Sequence, residues 1–201
     1  MDRALLSPVA QGVLTSALIS DERHFIVAEK MFCLGLPYRS ARLIAHEIFD
    51  FGIAVVDWGV KGYRIELDEP LIAWSLIQAL CRSPVTSVVR TPRCDPVPEH
   101  VRLSGASALA LVAGLAPPAT RRLAVFHEDA GDIIECQLQP GQGTVGIDEI
   151  ELWRVPPAAL AGPSCHVDLI SLFLACRAQS EPHVVLLLQK AILDLWTSPR
   201  C

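Results

Sequence analysis

The chain has 201 residues, 51% apolar and 19% charged, which suits one large domain or two small ones and excludes disorder throughout. Its net charge of −5 excludes a strongly basic nucleic-acid binder. That charge is uneven: residues 1–93 carry ten Lys/Arg and ten Asp/Glu, residues 94–201 carry seven and twelve, so a DNA-binding patch is expected only in the first part.

Taken in chain order, residues 3–19 and 24–34 have helical apolar spacing, with Asp21 and Glu22 placed to start the second helix. A third helix is predicted from Pro37. Ala41, Ile44, Ala45 and Ile48 recur at i, i+3, i+4 and i+7 and form one buried face. Gly52 is the expected stop. Residues 53–58 are β-branched and apolar, Gly59-Val60-Lys61-Gly62 is a turn, and residues 63–67 alternate as a strand. Residues 70–80 are a further helix. The segment 83–99 holds Pro84, Pro92, Pro96 and Pro98 and reads as a Pro-rich linker, because proline removes donors and stops helices.

Three helices, a two-strand hairpin and a helix make the layout of a winged helix-turn-helix over residues 1–82. Around residues 35–65 the chain carries Leu34-Gly35-Leu36 before the third helix, Asp50-Phe51-Gly52 at its end and, after a short strand, Val60-Lys61-Gly62-Tyr63-Arg64-Ile65. The stretch resembles the N-terminal repressor domain of biotin protein ligases. The resemblance implies a third helix (37–51) entering the major groove and a wing (59–65) on the backbone. Arg39, Arg42 and His46 lie opposite the apolar face and are expected to meet base edges or phosphates; Tyr38, Lys61 and Arg64 are expected on phosphates. Glu47, Asp50 and the apolar Leu43 on the same helix count against DNA.

In the second part, Ser104 is expected to cap a helix running to Leu115. Residues 121–127 and 132–138 read as strands joined by a hairpin at 128–131, with a second tight turn at Pro140-Gly141-Gln142-Gly143 and a third strand over 144–155. Helices are predicted over 166–177 and 182–196. The expectation is a small α+β domain at 100–201, a three-stranded antiparallel meander with helical cover. Leu103-Ser104-Gly105-Ala106-Ser107-Ala108-Leu109, Gly114-Leu115 and Ile150-Glu151-Leu152-Trp153-Arg154-Val155-Pro156-Pro157 resemble the C-terminal domain of AbiE-type antitoxins. That resemblance implies a regulator that represses its own operon and counters a toxin.

No GxSxG and no phosphate-binding Gly-Lys-Ser/Thr loop occurs. Ser104 to Ser107 is a weak phosphate-binding helix start. Cys165, His166 and Asp168 sit too close in sequence to pair as nucleophile and base, and Asp168 suits a helix cap. Glu128, Asp129 and Asp132 read as a solvated turn rather than a divalent-ion site. The seven cysteines are odd in number and lack a CxxC pair, which argues against a disulfide framework or a zinc ribbon, and those in apolar runs, such as Cys33 and Cys176, are expected as buried filler. Apolar runs such as 106–116 fall short of the ~18 residues a membrane span needs, and the N-terminus is too short for a signal-peptide core.

The expected protein is an α+β, cytoplasmic, non-enzymatic regulator with no catalytic residue, cofactor, metal or membrane partner. Its expected partners are double-stranded DNA, a cognate toxin or complex subunit, and a second copy as a homodimer. The alternative is a protein-interaction adaptor or immunity protein that uses the winged helix to grip a protein partner.

Overall fold

The computed structural model describes residues 5–59, 62–93, 95–131, 146–178 and 181–197. In chain order the elements are α1 (Pro8–Ile19), β1 (His24–Ile26), α2 (Val27–Cys33), a 3-10 turn (Tyr38–Ser40), α3 (Ala41–Asp50), β2 (Ala54–Asp57), β3 (Arg64–Leu67), α4 (Pro70–Ile77), β4 (Val85–Pro92), β5 (Arg102–Leu103), α5 (Gly105–Val112), β6 (Arg121–Phe126), β7 (Ile147–Trp153), α6 (Pro157–Ala161), α7 (Leu169–Cys176) and α8 (Pro182–Thr197). The fold class is α+β. Two units form: Met1–Arg82 together with Gln179–Cys201, and Ser83–Ala178. The chain therefore returns to the first unit at its end, where an uninterrupted second domain over 100–201 was expected. No helix among the described residues is long and apolar enough to cross a membrane.

In the first unit α1 starts where Ser7 accepts from the Ala10 amide at 3.2 Å and Pro8 takes the first turn, where its missing N–H costs nothing. The helix is buried over most of its length. Its buried Gln11 is satisfied by the Arg82 main chain, donating to the carbonyl at 2.9 Å and accepting from the amide at 3.0 Å. That pair joins the end of the unit's first stretch to its central helix. Leu14, Leu18, Ile48 and Ile65 are fully buried, each stabilising by about 1.5–3 kcal/mol relative to exposure. α8 adds Leu188 and Ile192 to the buried set, and the Trp196 indole donates to the Leu18 carbonyl at 2.9 Å.

The helix expected over 24–34 begins three residues late. His24–Ile26 is a strand, pairing His24 with Glu66, Phe25 with Ile65 and Ile26 with Arg64. β3 thus lies between β1 and β2 in a three-stranded antiparallel sheet. Asp21 and Glu22 sit before the strand and do not start α2, whose capping position is Ile26; Glu22 is ion-paired to Lys30. Burying Ile65 and Leu67 on β3 leaves Arg64 and Glu66 outward, as period-2 alternation requires. α3 buries Ala41, Ile44, Ala45 and Ile48, and Gly52 ends it at φ 65°, a conformation that favours glycine.

In the second unit the sheet order is β4-β7-β6-β5. β4 runs antiparallel to β7, β5 antiparallel to β6, and β6 parallel to β7. Among the described residues a four-stranded mixed sheet stands where a three-stranded antiparallel meander was expected. Residues 127–129 are a 3-10 turn rather than part of a hairpin. The strand predicted at 132–138 and the turn at 140–143 lie outside the described residues. Val101, Leu123, Val125 and Ile150 form the core of the sheet. The segment 83–99 is not simply a linker, because eight of its residues are β4. Its prolines permit this. Pro84 precedes the strand, and the Arg93 amide bonds Gly146 on the β7 side at 3.1 Å, so the neighbouring Pro92 nitrogen points away from β7 and no ladder donor is lost.

Candidate nucleic-acid interface

The outward face of α3 and the root of the β2–β3 hairpin bring together most of the residues singled out in the sequence. Arg39 lies in the 3-10 turn before α3 and Arg42 in its first turn; both are exposed. Tyr38 is 63% exposed and Leu43 70%. Arg64 is exposed on β3 beside the turn. Lys61 lies outside the described residues.

His46 is placed differently from its neighbours. It is half-buried, with its ring centroid 4.4 Å from that of Trp58. Trp58 also meets Phe49 edge-on at 6.0 Å and Tyr63 edge-on at 5.6 Å. Such aromatic pairs contribute about 0.5–1.5 kcal/mol each beyond their burial. The cluster anchors the hairpin root to the C-terminal half of α3. Sequence reasoning missed Trp58. Its signal was a large aromatic at a strand end beside a glycine turn.

The electrostatics of this face depend on what each charge is already doing. In the described part of the first unit, Arg23 is ion-paired to Glu69, Lys30 to Glu22, and Arg82 donates to the Leu6 and Leu5 carbonyls. Arg39, Arg42 and Arg64, with Lys190 on α8, make no ion pair among the described residues. Glu47, on the same helix as Arg42, turns away: its carboxylate accepts from the amide and hydroxyl of Ser7 at the start of α1. The acid that counted against DNA is therefore used internally. Asp50 remains exposed at the helix end, and Asp57 stands opposite Arg64 in register without an ion pair.

In the second unit Arg90, Arg121 and Arg122 are committed to carboxylates, whereas Arg154 is exposed and makes no ion pair among the described residues. Arg121 makes a two-pronged contact with Asp148 at 3.1 and 2.7 Å and reaches Asp95 at 2.8 Å. Its bond to Asp148 raises the guanidinium pKa further. Arg122 and Arg90 both clasp Glu149, and the Arg122 bond holds that carboxyl below the usual range. Ser104 occupies the capping position of α5 but does not cap it. Its hydroxyl donates to the buried Glu151 at 2.6 Å. Ser107 accepts from the Arg122 amide at 2.8 Å. With its hydroxyls engaged and a carboxylate beside it, this helix start is unsuited to phosphate.

Asp168 caps α7, accepting from the Ser171 amide at 2.8 Å. Its other oxygen is buried without a hydrogen-bond partner, and burial pushes the carboxyl pKa up. His166 is engaged with the Val167 carbonyl at 2.7 Å. Cys165 is exposed, and Cys33 is exposed against the expectation of buried filler; Cys81 and Cys176 are buried. Cys33 ends α2 on its outer face, where a short apolar run does not imply burial. Among the described residues no group of three or more His, Cys, Asp or Glu side chains could hold a metal ion. No family model, curated protein or solved structure matches the chain.

Proposed function

We propose that the chain is a non-enzymatic, DNA-binding transcriptional regulator of the antitoxin-like, self-repressing kind, whose first 82 residues act as a winged helix. The order α1-β1-α2-α3-β2-β3 with β3 central in the sheet supports that reading. α3 would enter the major groove, with the hairpin lying on the flanking backbone. The observation that carries the proposal is the distribution of uncommitted charge. Arg39, Arg42 and Arg64 are exposed and make no ion pair among the described residues, while Glu47 is turned onto Ser7. Guanidinium groups in that state are free to fork onto guanine edges or phosphate oxygens.

Three arginines per copy imply modest electrostatic affinity. Each neutralised phosphate contributes about −0.9 to the slope of log affinity against log salt, so one copy gives about −2.7. Two copies on a two-fold site double this, which is why a homodimer on a palindromic operator is the form proposed. The test is fluorescence anisotropy of the full chain on the duplex upstream of its own gene, at 50–200 mM salt. Binding should weaken with salt at about that slope. The double variant Arg39→Glu/Arg42→Glu should lose binding while its circular dichroism and melting temperature stay unchanged. Retained binding by that folded variant overturns the assignment.

A second reading, docking of a protein partner on the same face, is favoured by Phe49 and Trp58, which remain 52% and 42% exposed after packing on each other. A salt-independent complex with a protein of the same operon, and no duplex binding at any salt, is the result that selects it.

A further inference from the structure

Leu43 is the exposed apolar residue of α3 that neither charge nor the Trp58 ring cluster explains. Arg42 and Leu43 lie in the first turn of α3, and Arg39 lies in the 3-10 turn that leads into it. The buried side of the same helix is already filled by Ile44, Ala45 and Ile48. Leu43 is left 70% exposed, next to Arg42 in sequence and about one turn after Arg39, and neither arginine makes an ion pair among the described residues. A helical side chain leans toward the N-terminus of its helix, so the isobutyl group sits over the turn that carries Arg39 and Arg42.

An apolar pocket in a protein could take the leucine, but closing over it would also desolvate two adjacent guanidinium groups, and each would then need an acid. The major groove supplies both requirements at once. It presents phosphate oxygens and guanine N7 and O6 to arginine, and its one apolar feature is the C5-methyl group of a pyrimidine. We infer that Leu43 reads a pyrimidine C5-methyl group, so that the preferred duplex places a thymine or a 5-methylcytosine beside the bases or phosphates held by Arg39 and Arg42. This rests on the DNA-binding reading above and names the chemical feature that reading selects.

The experiment separates the two. The full chain is used to select from a random 20-base-pair duplex library. In the enriched duplex each thymine is then replaced singly by uracil, which removes only the methyl group, and each cytosine by 5-methylcytosine. Loss of one buried methyl group corresponds to a fall of about fourfold in affinity. One thymine per half-site should show that loss, or one cytosine a gain of the same size; which of the two responds identifies the source of the methyl group. Leu43→Ala should bind the thymine duplex about fourfold more weakly and no longer distinguish it from the uracil duplex. Because Leu43 is exposed, unchanged circular dichroism checks that this variant folds. A duplex that is bound, is lost in Arg39→Glu/Arg42→Glu, and is indifferent to every methyl change overturns the inference while leaving DNA binding intact. The inference also fails, with DNA binding intact, where Leu43→Ala keeps the thymine-to-uracil ratio. A library that enriches no sequence overturns both readings.

Discussion

Truncating Glu151 to alanine should loosen the second unit and leave the first untouched. Glu151 is 3% exposed, and one of its carboxylate oxygens accepts from the Ser104 hydroxyl at 2.6 Å and the Trp153 indole at 3.1 Å. Both donors belong to residues with no exposed surface, so neither can turn to water when the acceptor is removed. A stranded buried donor costs about 1–3 kcal/mol, which puts the loss at about 2–6 kcal/mol. Arg122, 3.6 Å from the other carboxylate oxygen, keeps its bond to Glu149, so no unpaired charge is added. Domains are commonly stable by only about 5–15 kcal/mol, so the effect is large. Hydrogen exchange read by mass spectrometry localises it. Even the lower figure speeds exchange about thirtyfold in peptides covering β6 and β7. Peptides from α1 and α3 should be unaffected. In a double-mutant cycle, Ser104→Ala and Glu151→Ala should couple by about 0.5–3 kcal/mol. Protection of β6 and β7 within threefold of the parent protein would refute the reasoning.

Gly105→Ala should also destabilise the second unit, because the new Cβ would meet the Arg122 Cδ at 2.4 Å and the residue already sits at φ 47°; a urea midpoint equal to that of the parent contradicts the packing described. Asp168 has a pKa raised by burial above its ordinary 3.8, so its contribution to stability is complete below that pH and is lost as pH rises through the folded-state value. Asp168→Asn, which caps as well, should flatten that decline in a series of melting temperatures, and an unchanged slope argues against it. Glu149 has the opposite sign. Its pKa lies below its ordinary 4.5 through its bond to Arg122, so its contribution is present above pH 4.5 and is lost as pH falls through the folded-state value; Glu149→Gln should show a shallower acid transition. Removing the acceptor from Ser7 in Glu47→Ala should cost the first unit about 1–2 kcal/mol, read as a lower urea midpoint.

How much of this was legible in the sequence depended on the range of the interaction. The apolar face of α3 was readable, because four residues within two turns define it and Gly52 closes it. So was the hairpin, whose glycines and alternation are local. β1 was not. Three residues are too few to show alternation, and His24–Ile26 is held extended by partners about forty positions away on β3. β4 was hidden by the prolines at its margins, which are harmless because one precedes the strand and the other faces away from β7. The direct parallel pairing of β6 with β7 was not legible, since local turn signals point to antiparallel neighbours and the partner here lies more than twenty positions along the chain. At the candidate site, spacing alone brought out Arg39 and Arg42. It could not show that Glu47 turns back onto Ser7, forty residues earlier, or that Trp58 draws His46 into a ring cluster. Both depend on how distant segments pack.

The return of α8 to the first unit fixes an order of completion during synthesis. A nascent chain can close its β4-to-α7 unit as soon as residue 178 has cleared the ribosome, while the α3-bearing unit still lacks the helix that contributes Leu188, Ile192 and the Trp196 tether to Leu18. Premature termination near residue 178 would therefore spare the β4-to-α7 unit and cripple the one that bears α3, and only a chain extended through α8 would present α3 on a finished scaffold.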